Sequence, residues 1–170
     1  MKFIISGGGI CGLTMAIVLE KLGHQVEVFE AAAEIKAIGA GLVLSTNAIK
    51  ALKYIGIEDV VLAKANLLDN FDIALAKGEK LMKTDAVKLS SKYGSIGNAT
   101  IHRAELHAVL LGLLKYKVIF NTGKRGQQAL QDTDGVTLMF NDGTSAKGDF
   151  LIACDGINSP IRQQLLPKSV

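Results

Sequence analysis

Two hydrophobic rhythms follow one another at the start of this chain. Residues 2–6 form a short Ile-rich run, the pattern of a parallel strand covered on both faces. From Ile10 to Leu22 the apolar positions Ile10, Leu13, Ala16 and Ile17 fall at helical spacing. Glu20 and Lys21 mark the exposed end of that helix, and Gly23 predicts its stop. Val26-Glu-Val-Phe29 predicts a second strand, closed by Glu30. Strand, helix and strand make a βαβ unit of the usual size. The uncharged stretch from Phe3 to Leu19 imitates a secretory leader. However, Gly7, Gly8 and Gly9 break it, no A-x-A cleavage pattern follows, and it is short for a membrane span.

Further along, Asn47 is expected to cap a helix with Ala48, Ile49, Ala51, Leu52 and Ile55 inward, stopped by Gly56. A short helix is expected from Glu58 to Lys64. Residues 66–100 are mixed, with a strand-like piece at Phe71–Leu75 and a turn at Lys77-Gly78-Glu79. This stretch differs in kind and is expected to belong to another layer. Ala104–Leu114 predicts a helix and Lys117–Phe120 a strand. Two turn signals, Asp134-Gly135 and Asn141-Asp142-Gly143, divide Gly126–Lys147 into a three-stranded antiparallel meander. Asp149–Cys154 predicts one more buried strand. Ser159-Pro160 then opens a helix, with Ser as cap and Pro in the first turn.

Composition narrows the function classes. A length of 170 residues favours one domain with a real core, and 49% hydrophobic against 21% charged residues excludes a disordered chain. The net charge of +3 comes from scattered lysines with few aromatics, which argues against a nucleic-acid partner. Cys11 and Cys154 lie far apart with no CxxC pair, so neither a zinc site nor a disulfide scaffold is expected. The setting expected from this is reduced and cytoplasmic. No metal site is expected. His107 is expected on a helix surface, His102 in a strand-to-helix turn, and His24 in solvent.

Chemistry enters at Gly7-x-Gly9-x-x-Gly12, set directly between the first strand and helix. The first glycine permits the tight turn, the second lets the backbone approach a pyrophosphate, and the third lets helix and strand pack closely. The helix start at Ile10 and Cys11 presents unpaired N–H groups and a positive dipole end to phosphates. Seventeen residues separate Gly12 from Glu30, which puts a carboxylate at the end of the second strand for ribose hydroxyls. The pattern predicts a dinucleotide site but does not separate NAD from FAD. A glycine-rich turn in some other α/β protein, with Glu30 merely solvated, is the plainer alternative.

Three later segments carry a resemblance. Gly39-Ala-Gly-Leu-Val-Leu-Ser-Thr-Asn47-Ala, Ile101-His-Arg103-Ala-Glu-Leu106 and Asp149-Phe-Leu-Ile-Ala-Cys-Asp155-Gly156-Ile-Asn-Ser159-Pro-Ile-Arg162 resemble, in order, the motifs of FAD-dependent aromatic hydroxylases. These are the flavoprotein monooxygenases similar to para-hydroxybenzoate and salicylate hydroxylases. The resemblance implies an α/β fold with a Rossmann-like FAD/NAD(P)-binding domain, a mainly parallel sheet and an antiparallel meander. It implies FAD, with NAD(P)H as transient co-substrate. It also implies hydroxylation of an aromatic or related small molecule by O2 through a flavin C4a-hydroperoxide. No catalytic side chain follows from it, because the cofactor carries the chemistry. Cofactor-binding roles are implied for Gly7, Gly9, Ile10, Cys11, Gly12, Glu30, Gly39, Gly41, Arg103, Asp155 and Gly156. Arg103 resembles the arginine that reaches the FAD phosphate and ribityl region, and Arg162 the arginine closing the Asp-Gly motif. Gly39 and Gly41 resemble the loop beside the flavin. Thr46 stands where relatives often have Pro, and Cys154 where they often have Ala.

The family's later Gly-Asp motif and most of its substrate-binding sheet have no counterpart here. Residues 1–170 are therefore expected to be the N-terminal portion of the FAD-binding domain, with 66–100 as a partial substrate-layer segment and the substrate domain mostly missing. Such a chain is expected to be inactive alone and to form a homo-oligomer through uncovered sheet surface. Two alternatives stay open. One is another FAD-dependent oxidoreductase, such as a reductase or halogenase; the other is a truncated nucleotide-binding fragment without turnover.

Overall fold

The computed structural model describes residues 1–36, 39–92, 94, 96–115 and 117–166. In chain order its elements begin with β1 (Lys2–Ser6), α1 (Ile10–Lys21), β2 (Gln25–Phe29), β3 (Gly41–Leu44), α2 (Thr46–Tyr54), α3 (Glu58–Leu62), β4 (Asn66–Leu68), β5 (Asn70–Ala74) and β6 (Lys80–Asp85). They continue with α4 (Ala86–Lys92), β7 (Asn98–His102), α5 (Arg103–Gly112), β8 (Val118–Asn121), β9 (Gly126–Asp132), β10 (Gly135–Phe140), β11 (Ser145–Gly148), β12 (Phe150–Ala153) and α6 (Pro160–Leu165). These form two units, Met1–Lys36 with Leu110–Val170, and Ala37–Val109, the division falling within α5. No described helix is long and apolar enough to cross a membrane.

The first unit is built on a four-stranded parallel sheet in the order β12-β1-β2-β8. Successive residues of β1 point to opposite faces, and both faces are covered. Ile5 packs with Val26, Val28, Ala16 and Leu19 on the α1 side. Ile4 packs with Phe29, Leu138, Phe140 and Ile161, on the side of the meander and α6. That is why the β1 sequence reads as an unbroken apolar run. The meander forms as expected, in the order β11-β10-β9. Ser159 caps α6 through its Oγ, which accepts the Arg162 N–H at 2.9 Å, with Pro160 in the first turn.

One expectation about this sheet is corrected. Asp149–Cys154 is not a buried strand, because β12 is an outer strand of the sheet and Phe150 is 50% exposed. Its apolar sequence is shared between the core and the open face.

The second unit carries a three-stranded antiparallel sheet, β3-β7-β4, and a hairpin of β5 and β6. Ile49, Leu52, Ile57, Val61, Ala99, Ile101 and Leu106 are buried there. The expected 66–100 segment runs through β4, β5, β6 and α4 to β7; within it, Tyr93 and Ser95 lie outside the described residues. Asn47 does not cap α2. Ser45 stands at the N-cap position and Asn47 is the second residue of the helix, where its side-chain oxygen accepts from the Ser45 hydroxyl. His107 is buried rather than on a helix surface, since it follows Leu106 on the inward side of α5. His24 is not simply solvated: its ring lies 5.0 Å from that of Phe3 in the first unit.

Candidate functional site

The glycine turn joins β1 to α1 in the first unit, and each glycine there has a separate physical cause. Gly7 has φ +104°, and a Cβ on it would fall 2.3 Å from the Cys154 carbonyl oxygen. A Cβ on Gly12 would fall 1.9 Å from the Gly7 carbonyl oxygen, so helix and turn touch through backbone. Gly8 is hemmed in by the Phe120 ring, 2.6 Å from where its Cβ would be. Gly9 differs: no atom lies within 4 Å of its Cβ position. Packing demands Gly7 and Gly12, whereas Gly9 leaves open space.

Gly9 is also the N-cap residue of α1, with no side-chain cap and no acidic residue in the first turn. The first intrahelical bond runs from Leu13 N–H to Gly9 carbonyl at 2.9 Å. The N–H groups of Ile10, Cys11 and Gly12 therefore precede the ladder, as donors at a positive helix end.

Glu30 ends β2 with its carboxylate turned back on the same turn. Oε2 accepts the Gly8 N–H and Oε1 the Ala32 N–H, both at 2.8 Å. The acid at the strand end thus braces the glycine turn, a contact that sequence spacing did not foretell. Across from it, the Asp155-Gly156 turn follows β12, with Gly156 at φ +89°. Both oxygens of the Asp155 carboxylate are buried and accept no hydrogen bond from the described residues. Buried acceptors without donors are costly, so this carboxylate calls for a donor from a ligand.

Gly7, Gly9, Glu30, Asp155 and Gly156 line one cleft of about 270 Å³, together with Cys154, Asn158, Lys124 and Arg125. Lys124 and Arg125 were missed in the sequence. Their signal was a basic pair between Gly123 and Gly126, just beyond the strand next to β2. The Lys124 ammonium is also tied to Asp142 at 2.6 Å. That bond, with two more from Thr144, holds the Asp142 carboxyl well below the usual carboxylate range. Arg162 serves the backbone: its guanidinium donates to the Ile157 carbonyl.

The second unit brings the remaining residues together. Gly41 pairs with His102 across β3 and β7, and the Arg103 N–H donates to the Ala40 carbonyl at 3.1 Å. A Cβ on Gly39 would lie 2.8 Å from the Arg103 Cβ, at φ +151°. Gly39 is thus explained by Arg103, while the space at Gly41 is open. His102 stands in the strand-to-helix turn, its Nδ1 accepting the Ala104 N–H at 3.3 Å. Thr46 donates its N–H to Asn98 Oδ1 at 3.0 Å, a bond proline has no hydrogen to make.

Comparison with known proteins places this geometry. A family described as "FAD binding domain" matches residues 1–168. The chain belongs to that FAD-binding domain family. Among its relatives is a FAD-dependent urate hydroxylase of Klebsiella pneumoniae, 34% identical over 167 residues, 98% of this chain and 43% of the relative. A 3-hydroxybenzoate 6-hydroxylase of Klebsiella oxytoca is 34% identical over 172 residues, 99% of this chain and 43% of its own length. This FAD-binding domain chain therefore spans less than half the length of the curated relatives it matches. The crystal structure of Klebsiella pneumoniae HpxO with FAD and uric acid superposes with a TM-score of 0.85 at 34% identity, covering 96% of this chain and 41% of that one.

Proposed function

We propose that the cleft of the first unit holds the ADP half of FAD. The observation that carries this reading is the open space over Gly9, in one cleft with the orphaned Asp155 carboxylate. A diphosphate suits the uncapped start of α1, where Ile10, Cys11 and Gly12 offer N–H donors and Gly9 offers room. Ribose hydroxyls suit Glu30, and ligand hydroxyl donors suit Asp155. Gly39, Gly41 and Arg103 are proposed as cofactor-binding residues, and residues 66–100 as this chain's share of the substrate layer.

We infer that the whole protein is an NAD(P)H-dependent flavoprotein monooxygenase acting on a small aromatic molecule with O2. The relatives named as a FAD-dependent urate hydroxylase and a 3-hydroxybenzoate 6-hydroxylase support this. When bound, FAD would supply the electron relay from reduced nicotinamide to O2 and the oxygen transfer. The chain's own residues bind and orient it: backbone donors hold the diphosphate, Glu30 fixes the adenosine end, and the glycines keep side chains out of its path. The two reduced thiols suit a cytoplasmic setting. Ile119 and Phe150, half-exposed on the outer strands of the parallel sheet, offer apolar surface for self-association, which light scattering would report.

Titration with FAD and with NAD, both read by calorimetry, with visible absorption reporting bound flavin, tests the cofactor reading. FAD should bind the more tightly and turn the protein yellow; equal or absent binding of both would overturn the assignment. NAD(P)H oxidation with and without a phenolic substrate then separates a hydroxylase from a fragment without turnover.

A further inference from the structure

Cys11 and Cys154 stand 143 positions apart in the chain, yet their sulfurs lie 3.4 Å apart. The parallel pairing of β1 with β12 brings them together. Ser6 aligns with Ala153, and the Cys154 N–H donates to the Ser6 carbonyl at 2.7 Å. Cys11 sits in the first turn of α1, just past the glycine turn. Both are free thiols; Cys11 is exposed and Cys154 half-buried. Burial, then the neighbouring Cys11 and Asp155, push the Cys154 thiol up to about 12, so it is protonated at neutral pH. A disulfide needs about 2.05 Å between sulfurs, an approach of roughly 1.4 Å from the present separation.

We propose that Cys11 and Cys154 are a modification site, an oxidisable dithiol that closes to an intramolecular disulfide when a hydroperoxide reaches Cys11. Cys11 is the sulfur open to solvent, so it is the one that reacts first. It attacks one peroxide oxygen, the O–O bond breaks, an alcohol or water leaves with the thiol proton, and Cys11 becomes a sulfenic acid. The Cys154 sulfur then attacks the Cys11 sulfur. The S–O bond breaks, and the departing hydroxide takes the Cys154 proton as water. The two thiols lose two electrons between them, and the peroxide takes both. The second sulfur is already in contact, which places Cys154 to resolve the sulfenic acid on Cys11. The bond would tie the start of α1 to the end of β12, on either side of the glycine turn.

The test treats the reduced 170-residue chain with hydrogen peroxide, quenches with an alkylating reagent, and maps the peptides. Both thiols should disappear together, and the monomer mass should fall by two hydrogens. A Cys11–Cys154 cross-linked peptide should appear, and dithiothreitol should restore both thiols. Cys11→Ser should leave Cys154 reduced under the same dose and form no cross-link; at the exposed position 11 this variant should fold. Sulfinic acid on Cys11 beside an alkylated Cys154, or chains joined to one another through Cys11, would overturn the proposal.

Discussion

Gly12 lies so close to the Gly7 carbonyl that a Cβ on it would fall 1.9 Å from the oxygen, while Gly9, between them, faces open space. The two glycines therefore fail in different ways. Gly12→Ala should destabilise the chain by about 1–3 kcal/mol or more, because backbone must move to admit the methyl. Gly9→Val should cost only about 1 kcal/mol, the scale of a poorer N-cap residue. Its extended backbone, φ −74° and ψ −174°, accepts a branched residue. It should nevertheless abolish FAD binding. Thermal melts read the first effect and fluorescence titration the second; a Gly9→Val protein that keeps FAD would show the fingerprint to be misread.

Glu30 joins turn stability to nucleotide binding. With its two oxygens on the Gly8 and Ala32 amides, Glu30→Ala leaves both donors unanswered. The melting temperature should fall and FAD affinity should weaken by about 1–3 kcal/mol, the range for hydrogen bonds to a charged group. Unchanged affinity with a lowered melting temperature would assign Glu30 to the turn alone.

Asp155 should behave in the opposite sense. Its buried, unpartnered carboxylate burdens the empty domain, so Asp155→Asn should raise the melting temperature without ligand. The same variant should bind FAD at least tenfold more weakly, since an amide replaces one of its acceptors by a donor. A stability loss without ligand would mean that a protein donor already serves the carboxylate.

Acid should act on the meander. The Asp142 carboxyl is held low by Lys124 first and then by Thr144, whereas its unfolded value is 3.8. A depressed native pKa gives stability that is present above the unfolded value and is lost as pH falls through the native one. Wild type should therefore lose more stability than Asp142→Asn as pH drops below about 4. Urea titrations across that range check it, and parallel pH profiles would remove the Asp142–Lys124 pair from the account.

The chain's own order of residues determined what depends on neighbours close in sequence. Gly7, Gly9 and Gly12 stand at fixed offsets between an apolar run and a helical period, so strand, turn and helix were legible together. Asp134-Gly135 and Asn141-Asp142-Gly143 fixed the meander, and Ser159-Pro160 the start of α6, because turn and cap chemistry is local. Tertiary structure alone decided which distant residues meet. That β12 pairs with β1, rather than with any other strand, sets Cys154 against Cys11 and Asp155 against the glycine turn. The same sheet order leaves β12 at an edge and Phe150 half-exposed, although its sequence reads as buried. Lys124 and Arg125 enter the cleft because β8 lies beside β2, and the packed side of α5 takes in His107. Strand order and helix packing depend on the summed burial of many side chains across long separations, which no short window of sequence contains.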